Sequence, residues 1–199
     1  MTRWRCSTKP APLHNSLNRN RFKGKLCSNS GVTASFARLK DVRRCKEKSP
    51  MTVRIRDARP EDEARWRELW AAYLAFYEVT VDADITDSTW RRVFDPASAI
   101  AMRVAEVDGR IMGFALYLTH EGTWIRGRDC YLEDLFVDAD ARGKGVGRAL
   151  MDDLVSTCKA KGWSRLYWHT SEQNRTARAL YDSYVESDGH IRYRIRFTA

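Results

Sequence analysis

The sequence lacks any apolar run long enough to cross a membrane, and it lacks the apolar segment of a secretory signal peptide. Cysteine is also scarce, with five residues in 199, odd in number and far apart. This spacing excludes both a disulfide framework and a zinc site with paired ligands, so we expect free thiols and no bound metal. The five are Cys6, Cys27, Cys45, Cys130 and Cys158. We take the cytoplasm as the expected location and expect no membrane partner.

Acidic residues are nearly absent from the first 50 positions. That segment holds 13 lysines and arginines against Asp41 and Glu47, a net charge of +11, while residues 51–199 hold 22 basic and 24 acidic residues, a net charge of −2. It has no sustained apolar period, so we expect a disordered basic extension. Three interpretations stay open: an upstream-start artefact before Met51, an organellar transit segment, or an arm that binds nucleic acid phosphates.

The remaining residues, 51–199, are enough for one globular domain with a full core, and they show no internal repeat. At their centre, Cys130 to Val137 alternates faces as a buried strand does, and Asp138 to Ala141 follows as a turn. A run with glycine at every second position then leads into an apolar pattern at helical spacing that ends near Gly162. The predicted order is strand, glycine-rich turn, helix.

The glycines at 143, 145 and 147 allow unusual backbone angles and leave main-chain N–H groups open to an anion. The start of a helix adds unpaired N–H donors and the positive end of its dipole. This pattern predicts a diphosphate site, with a plain tight connection as the alternative. A Walker loop and the dinucleotide fingerprint both fit badly, because Lys144 is followed by glycine and the glycines are evenly spaced.

The segment does resemble the Arg-x-x-Gly-x-Gly signature of the GNAT acetyltransferases, which Arg142, Gly145 and Gly147 match directly after the strand. It is most similar to the branch that acts on polyamines, histone tails and small amines, in which a Glu-Asp pair precedes the strand end, as Glu133 and Asp134 do here. The resemblance spans roughly residues 52 to 197.

The resemblance implies an α+β fold, with a central, mixed and mostly antiparallel sheet flanked by helices. It also implies that the strands at 130–137 and 164–170 splay apart, so that the pantetheine arm of acetyl-CoA enters the gap. The chain pattern agrees with such a fold. The further predicted elements are strand 52–58, an aromatic-striped helix from Pro60 to Tyr77, helix 88–94, a hairpin of 99–107 and 110–118 around Asp108-Gly109, helix 174–186 and strand 190–197.

The residues implied to bind acetyl-CoA lie at the strand end, in the glycine turn and at one later asparagine. They are Leu135, Phe136, Val137, Arg142, Gly143, Lys144, Gly145, Val146, Gly147, Arg148 and Asn174. The positive side chains would neutralise the diphosphate, and the N–H of Val137 would polarise the thioester carbonyl. Tyr181, seven positions after Asn174, falls where the family keeps a tyrosine near the sulfur.

An alkylammonium of pKa near 10.4 is neutral in only about one molecule in 2,500 at pH 7, a deficit of about 4.6 kcal/mol that a base must relieve. Glu133 is the first candidate base and Asp134 the second, and strand alternation would place them on opposite faces. A structural ion pair is the alternative role for either. We read His169 as a packed histidine.

These residues predict an acetyl-CoA-dependent N-acetyltransferase in which a primary amine attacks directly in a ternary complex. The acceptor is a small amine, polyamine or amino acid, with a protein lysine or N-terminus in a basic peptide as the alternative. A non-catalytic acyl-CoA-binding module with a nucleic-acid-binding tail is the rival from another class. The acidic residues Glu78, Asp82, Asp84 and Asp87 form either one wall of the acceptor pocket or a solvated loop with a helix cap at Thr86 or Asp87. A homodimer is compatible with all these interpretations.

Overall fold

The computed structural model of this protein describes residues 52–197. The predicted basic extension, three of the five cysteines and Met51 lie outside the described residues. In chain order the elements are β1 Val53–Asp57, α1 Glu63–Phe76, α2 Ala83–Val93, β2 Ile100–Val107, β3 Arg110–Glu121, β4 Arg128–Val137, α3 Val146–Lys161, β5 Leu166–Trp168 and α4 Arg175–Tyr181. No helix in the described part of the chain is both long and apolar enough to cross a membrane.

The five strands form one sheet in the order β1-β2-β3-β4-β5. The first four pair antiparallel with their chain neighbours, while β5 pairs parallel to β4 after the crossover through α3. The predicted mixed, mostly antiparallel sheet flanked by helices is confirmed. The β2–β3 hairpin turns at Asp108 and Gly109, as predicted, and both have positive φ, 49° and 81°, which suits a two-residue turn between twisted strands.

Each face of the sheet has its own core. On one face α1 and α2 pack Trp66, Trp70 and Trp90 against Phe114 and other β-strand side chains. On the other face α3 contributes an apolar stripe, Val146, Leu150, Met151, Leu154 and Cys158, that packs against residues of β2, β3 and β4. Cys130 and Cys158 are both free and buried, which confirms the predicted thiols for the two described cysteines.

The predicted splay of the central strands is present. β4 and β5 pair at only three positions, from Cys130 with Leu166 to Leu132 with Trp168, and β5 ends there although β4 runs on to Val137. The last five residues of β4 therefore have no strand beside them on that edge. A gap opens between the end of β4 and the chain that leads to α4.

Two helix boundaries differ from the prediction. α2 begins at Ala83 rather than near Ser88, because Asp82 has an extended backbone and Asp84 lies in the first turn, where a negative charge is favourable. The predicted cap at Thr86 or Asp87 is therefore wrong. The last helix ends at Tyr181 rather than near Glu186, although its predicted N-cap, Asn174, is correct.

The predicted closing strand at 190–197 is wrong. The segment alternates apolar and basic residues as a strand would, yet no strand forms there. Its apolar side chains face solvent, with exposures of 76% for Ile191, 89% for Tyr193, 80% for Ile195 and 88% for Phe197. Alternation makes a segment able to pair, but a strand forms only beside a neighbouring strand, and within residues 52–197 this segment has none.

Candidate active site

The glycine turn connects the open end of β4 to the start of α3. Asp138 begins it by accepting a hydrogen bond from the N–H of Asp140 at 3.0 Å. Gly143 and Gly145 then have φ of 72° and 82°, in the left-handed region that disfavours other residues. A Cβ on either would meet nothing within 4 Å, so backbone conformation rather than crowding requires these glycines. The N–H groups of the first turn of α3, from Val146 on, have no partner within the helix.

A cavity of about 520 Å³ lies between this turn, the splayed end of β4, α4 and the end of α1. Its lining includes every residue predicted to bind the cofactor except Lys144, and it includes the predicted catalytic tyrosine. The predicted lining residues are Leu135, Phe136, Val137, Arg142, Gly143, Gly145, Val146, Gly147, Arg148, Asn174 and Tyr181. The cavity thus joins predicted residues that are up to 46 positions apart in the chain.

Two arginines bring positive charge to the cavity. Arg142 lies over the rings of Phe76 and Phe136, at 5.9 and 5.5 Å from their centres, and donates to the carbonyl of Val137. Arg148 donates to the hydroxyl of Ser183 at 3.0 Å. Lys144 is directed elsewhere, because its Nζ donates to the carbonyl of Asp140 at 2.6 Å.

Asn174 and Tyr181 lie at the two ends of α4. The Oδ1 of Asn174 accepts from the N–H of Ala177 at 3.2 Å and so caps the helix, which leaves its amide Nδ2 pointing to no partner within the described residues. Tyr181 packs on Trp168 with ring centres 5.2 Å apart. Burial, with a smaller effect from Tyr77, raises the pKa of Tyr181 to about 12, so its phenol remains a proton donor at neutral pH.

The two candidate bases lie at a β-bulge. Leu116 pairs with Asp134 and Tyr117 with Leu132, so Glu133 is an extra residue in β4. A bulge breaks strict alternation, and the expected placement of the two carboxylates on opposite faces does not hold. Burial raises the pKa of Tyr131, whose ring lies on the face opposite α3, and both carboxylates act in the same direction. Burial and Asp134 raise the pKa of Tyr73, with a smaller effect from Glu133.

Asp134 has a specific partner, the hydroxyl of Tyr73, which donates to its Oδ1. Burial raises the pKa of Asp134 to about 6, although the bond from Tyr73 acts in the opposite direction. Burial and the same carboxylate raise the pKa of Tyr73 far above its usual range. Glu133 is exposed, and it is not among the residues that line the cavity.

The sequence favours a core role for the aromatic stripe of α1, with its end as the wall of a substrate groove as the alternative, and Tyr73, Phe76 and Tyr77 at that end do line the cavity. The aromatic stripe of α1 was the available signal: its first part, Trp66 to Trp70, is buried, and its end reaches the cavity. The stripe therefore serves both as core and as a wall of the site.

The acidic residues before and within the first half of α2 do not contribute to the cavity, since its lining does not include Glu78, Asp82, Asp84 or Asp87. Asp87 instead pairs with Arg67 at 2.8 Å. His169, expected to be packed, is exposed, and its Nδ1 lies 3.0 Å from the hydroxyl of Tyr131. In residues 52–197 no three histidine, cysteine, aspartate or glutamate side chains are grouped as a metal site would require.

Comparison with known proteins identifies relatives of this arrangement. Residues 63–184 match the acetyltransferase (GNAT) family. The chain is 30% identical over 142 residues to a D-amino-acid N-acetyltransferase of Saccharomyces cerevisiae, covering 70% of this chain and 88% of that protein. It is 32% identical over 78 residues to a thialysine N-epsilon-acetyltransferase of Bos taurus, covering 39% and 45%. A ribosomal-protein-alanine N-acetyltransferase from Brucella melitensis has a similar structure, with a TM-score of 0.64, 25% identity, and coverage of 73% of this chain and 100% of that one.

Proposed function

Because the chain belongs to the acetyltransferase (GNAT) family, we propose that it transfers the acetyl group of acetyl-CoA to the primary amine of a small acceptor. The observation that carries this proposal is the single cavity that runs from the glycine turn, past the open end of β4, to the phenol of Tyr181. An anion-binding turn, a strand edge without a partner strand and a buried proton donor are the groups that such a transfer needs.

The residues present fit acetyl-CoA. The left-handed glycines keep the turn free of side chains, and the first N–H groups of α3 with Arg142 and Arg148 would hold the diphosphate. Leu135, Phe136 and Val137 would hold the pantetheine arm through their backbone. When bound, acetyl-CoA supplies an activated acyl group as a thioester.

The names of the relatives support one acceptor class. One relative is named for D-amino acids and another for thialysine, and both acceptors are amino acids. We propose an amino acid or small amine for this chain. A protein N-terminus is the second candidate, because the structural relative from Brucella melitensis is named for a ribosomal protein's alanine.

The acceptor must lose a proton before it attacks, and the structure offers a path for it. Tyr73 lines the cavity and donates to Asp134, so a proton taken from the amine by Tyr73 Oη can be matched by transfer of the tyrosine proton to Asp134 Oδ1. A carboxylate of pKa about 6 is ionised at neutral pH yet more basic than an ordinary aspartate. Glu133, acting through water, is the alternative base.

Two further groups, the N–H of Val137 and the phenol of Tyr181, would act on the acetyl thioester. The N–H of Val137 would donate to the carbonyl oxygen as negative charge develops there. Tyr181 would donate to the departing sulfur, which it can do because its raised pKa keeps the phenol protonated. The described residues lining the cavity include no cysteine or serine, consistent with direct attack by the amine.

A thiol-release assay tests this function. Acetyl-CoA is offered with a panel of amines, amino acids of both chiralities and basic peptides, across pH 5 to 9. We expect turnover with amino acids or small amines and a rate that rises through about pH 6 as Asp134 ionises.

Variants of the two carboxylates assign the base. Asp134→Asn should lower kcat strongly and remove the rise near pH 6, whereas Glu133→Gln should keep it. The reverse result would make Glu133 the base. No thiol release with any acceptor, while acetyl-CoA still binds, would support the non-catalytic rival instead.

A further inference from the structure

Arg65 lies in the first turn of α1, yet its guanidinium reaches the connection between β4 and the glycine turn. Its Nη2 donates to Oδ2 of Asp138, the residue that directly follows β4. Its Nε donates to the carbonyl of Ile111 in β3 at 3.0 Å, and its Nη1 pairs with Glu68 at 2.5 Å. Contacts with three different partners fix the orientation of the planar guanidinium. Arg65 therefore ties α1 and β3 to the start of the turn.

Asp138 passes this anchor on to the backbone of the turn. Its Oδ1 accepts from the N–H of Asp140 at 3.0 Å. Its own N–H donates to the carbonyl of Met112 at 2.8 Å, and its carbonyl accepts from the N–H of Ala141 at 2.9 Å. Burial raises the pKa of Asp138, but the bonds from Asp140 and Arg65 outweigh it and hold the pKa below its usual range, so the carboxylate is charged at neutral pH. One carboxylate oxygen thus binds α1 and the other binds the turn.

Arg65 lies outside the cavity that would receive acetyl-CoA. It lines a separate cleft of about 240 Å³ on the α1 side of the turn, together with Asp138 and Ala139. Arg142 lines both this cleft and the cavity. The ion pair therefore acts on the turn from a position that the cofactor does not occupy.

The turn needs such an anchor because its own residues hold it weakly. Glycine is the most flexible residue of a chain, and a Cβ on Gly143 or Gly145 would meet nothing within 4 Å, so no neighbouring group confines the backbone there. A loop that must become ordered when its ligand binds loses affinity by the cost of that ordering. A rigid residue 138, directly before the turn, reduces this cost.

We infer that Arg65 is a positioning residue for the diphosphate: through Asp138 it holds the turn in the conformation that presents the N–H groups of residues 143–148. This inference rests on the proposed function, in which acetyl-CoA is the ligand of the turn. Arg65 contacts neither the cofactor site nor the reacting atoms. Its effect should therefore be on the affinity for the cofactor and not on the chemical step.

The test compares acetyl-CoA with acetyl-pantetheine, which lacks the diphosphate. Arg65→Met keeps an unbranched apolar side chain but removes the guanidinium, and we expect it to weaken acetyl-CoA binding about tenfold, or about 1.4 kcal/mol, in calorimetric titration. The affinity for acetyl-pantetheine should stay unchanged, as should kcat with saturating acetyl-CoA. Arg65→Lys keeps the charge but cannot make all three contacts at once, so its affinity should be intermediate.

Two controls separate this role from a general effect of charge. Arg67→Met removes the same charge two residues further along α1, where Arg67 pairs with Glu63 and Asp87, and it should leave both affinities unchanged. In a protein that already carries Asp138→Ala, Arg65→Met should cause less than about a twofold further loss, because the residue through which Arg65 acts is gone.

Three results would overturn the inference: equal acetyl-CoA affinity of Arg65→Met and the unaltered protein, an equal loss for both ligands, or about a tenfold further loss in the Asp138→Ala background. If Arg65→Met does not fold, Arg65→Lys decides by the same comparison of ligands. Binding of acetyl-CoA by the unaltered protein without thiol release would overturn the proposed transfer and leave the role of Arg65 in place. No binding of acetyl-CoA by the unaltered protein would overturn both.

Discussion

Asp134, the proposed base, is a buried carboxylate whose ionisation costs stability. Its pKa of about 6 means that the folded protein holds the proton more tightly than the unfolded chain, whose value is near 3.8. Folding is therefore most favoured below about pH 4, and this contribution is lost as pH rises through 6. At neutral pH the buried carboxylate destabilises the fold by about 2 to 3 kcal/mol, taking 1.36 kcal/mol per pKa unit.

Removing the charge of Asp134 should abolish this loss of stability at neutral pH. Asp134→Asn keeps the shape and the acceptor for Tyr73 but removes the charge, so its free energy of unfolding relative to the unaltered protein should increase between pH 4 and pH 8 by about 2 kcal/mol. Denaturant unfolding at several pH values measures this. A difference that does not change with pH would show that the pKa of Asp134 is the same in the folded and the unfolded protein, and so would contradict the raised value.

The second residue-scale prediction concerns Tyr181. Tyr181→Phe retains the packing on Trp168 but removes the hydroxyl, so kcat should fall by about 100-fold, in the range for loss of a general acid, with little change in the KM for acetyl-CoA. Steady-state kinetics with acetyl-CoA varied provides the measurement. Equal turnover in the two proteins would remove Tyr181 from the mechanism.

Asn174, Tyr181 and Asp134 show which features of the site the sequence could predict. Asn174 and Tyr181 were predictable because a fixed spacing along one helix carries them. The partner of Asp134 was not, because Tyr73 is 61 positions away and only packing brings the two together. The bulge at Glu133 could not be predicted either, because an extra residue in one strand is defined only by the register of the neighbouring strand.

At the scale of the element, the glycine turn and α3 act as one unit that presents N–H groups to the cavity. Gly145 begins α3 and Gly162 ends it, both in the left-handed region, with φ of 82° and 66°. Substitution by alanine at either position costs about 1 to 2 kcal/mol. Of these two glycines only Gly145 lines the cavity. Gly162 can therefore serve as a control that has the same backbone conformation but no contact with the site.

The prediction is that Gly145→Ala and Gly162→Ala destabilise the protein similarly, while only Gly145→Ala weakens acetyl-CoA binding, by about tenfold or more, because it alters the turn that holds the diphosphate. Thermal unfolding and calorimetric titration give the two quantities. Unchanged affinity in the Gly145 variant would contradict the assigned role of the turn.

Helices and strands were predicted well where their residue pattern and the turn residues that flank them favour the same structure. The hairpin at Asp108-Gly109 and α3 between its two glycines formed as expected. The segment 190–197 did not, because its alternation specifies two faces but not a neighbouring strand. Helix α2 begins earlier than expected because Asp82 is extended and Asp84 lies in its first turn, where the positive end of the helix favours a negative charge.

At the scale of the whole molecule, the splay of β4 from β5 brings both cores of the sheet to one cavity. Its lining combines Leu135 and Val137, which pack with the α3 core, with Phe136 and Tyr73, which pack with the α1 core. The proposed function would therefore use both faces of the sheet at the open end of β4.

The first 50 residues carry the net positive charge of the chain, while the residues of the candidate site lie beyond them. We expect full-length protein and a form beginning at Met51 to have the same kcat and the same KM for acetyl-CoA, as determined by the thiol-release assay. A lower kcat in the shorter form would assign the basic segment a part in catalysis.

The central claim is that the turn at 143–148 holds the diphosphate while the end of β4 holds the pantetheine arm. Titration of isotope-labelled protein with acetyl-CoA and with acetyl-pantetheine, which lacks the diphosphate, tests it by the amide resonances. We predict that acetyl-CoA shifts the amides of residues 135–137 and 143–148, and that acetyl-pantetheine shifts only the first group. No response of residues 143–148 to acetyl-CoA, or an equal response to both ligands, would contradict the account.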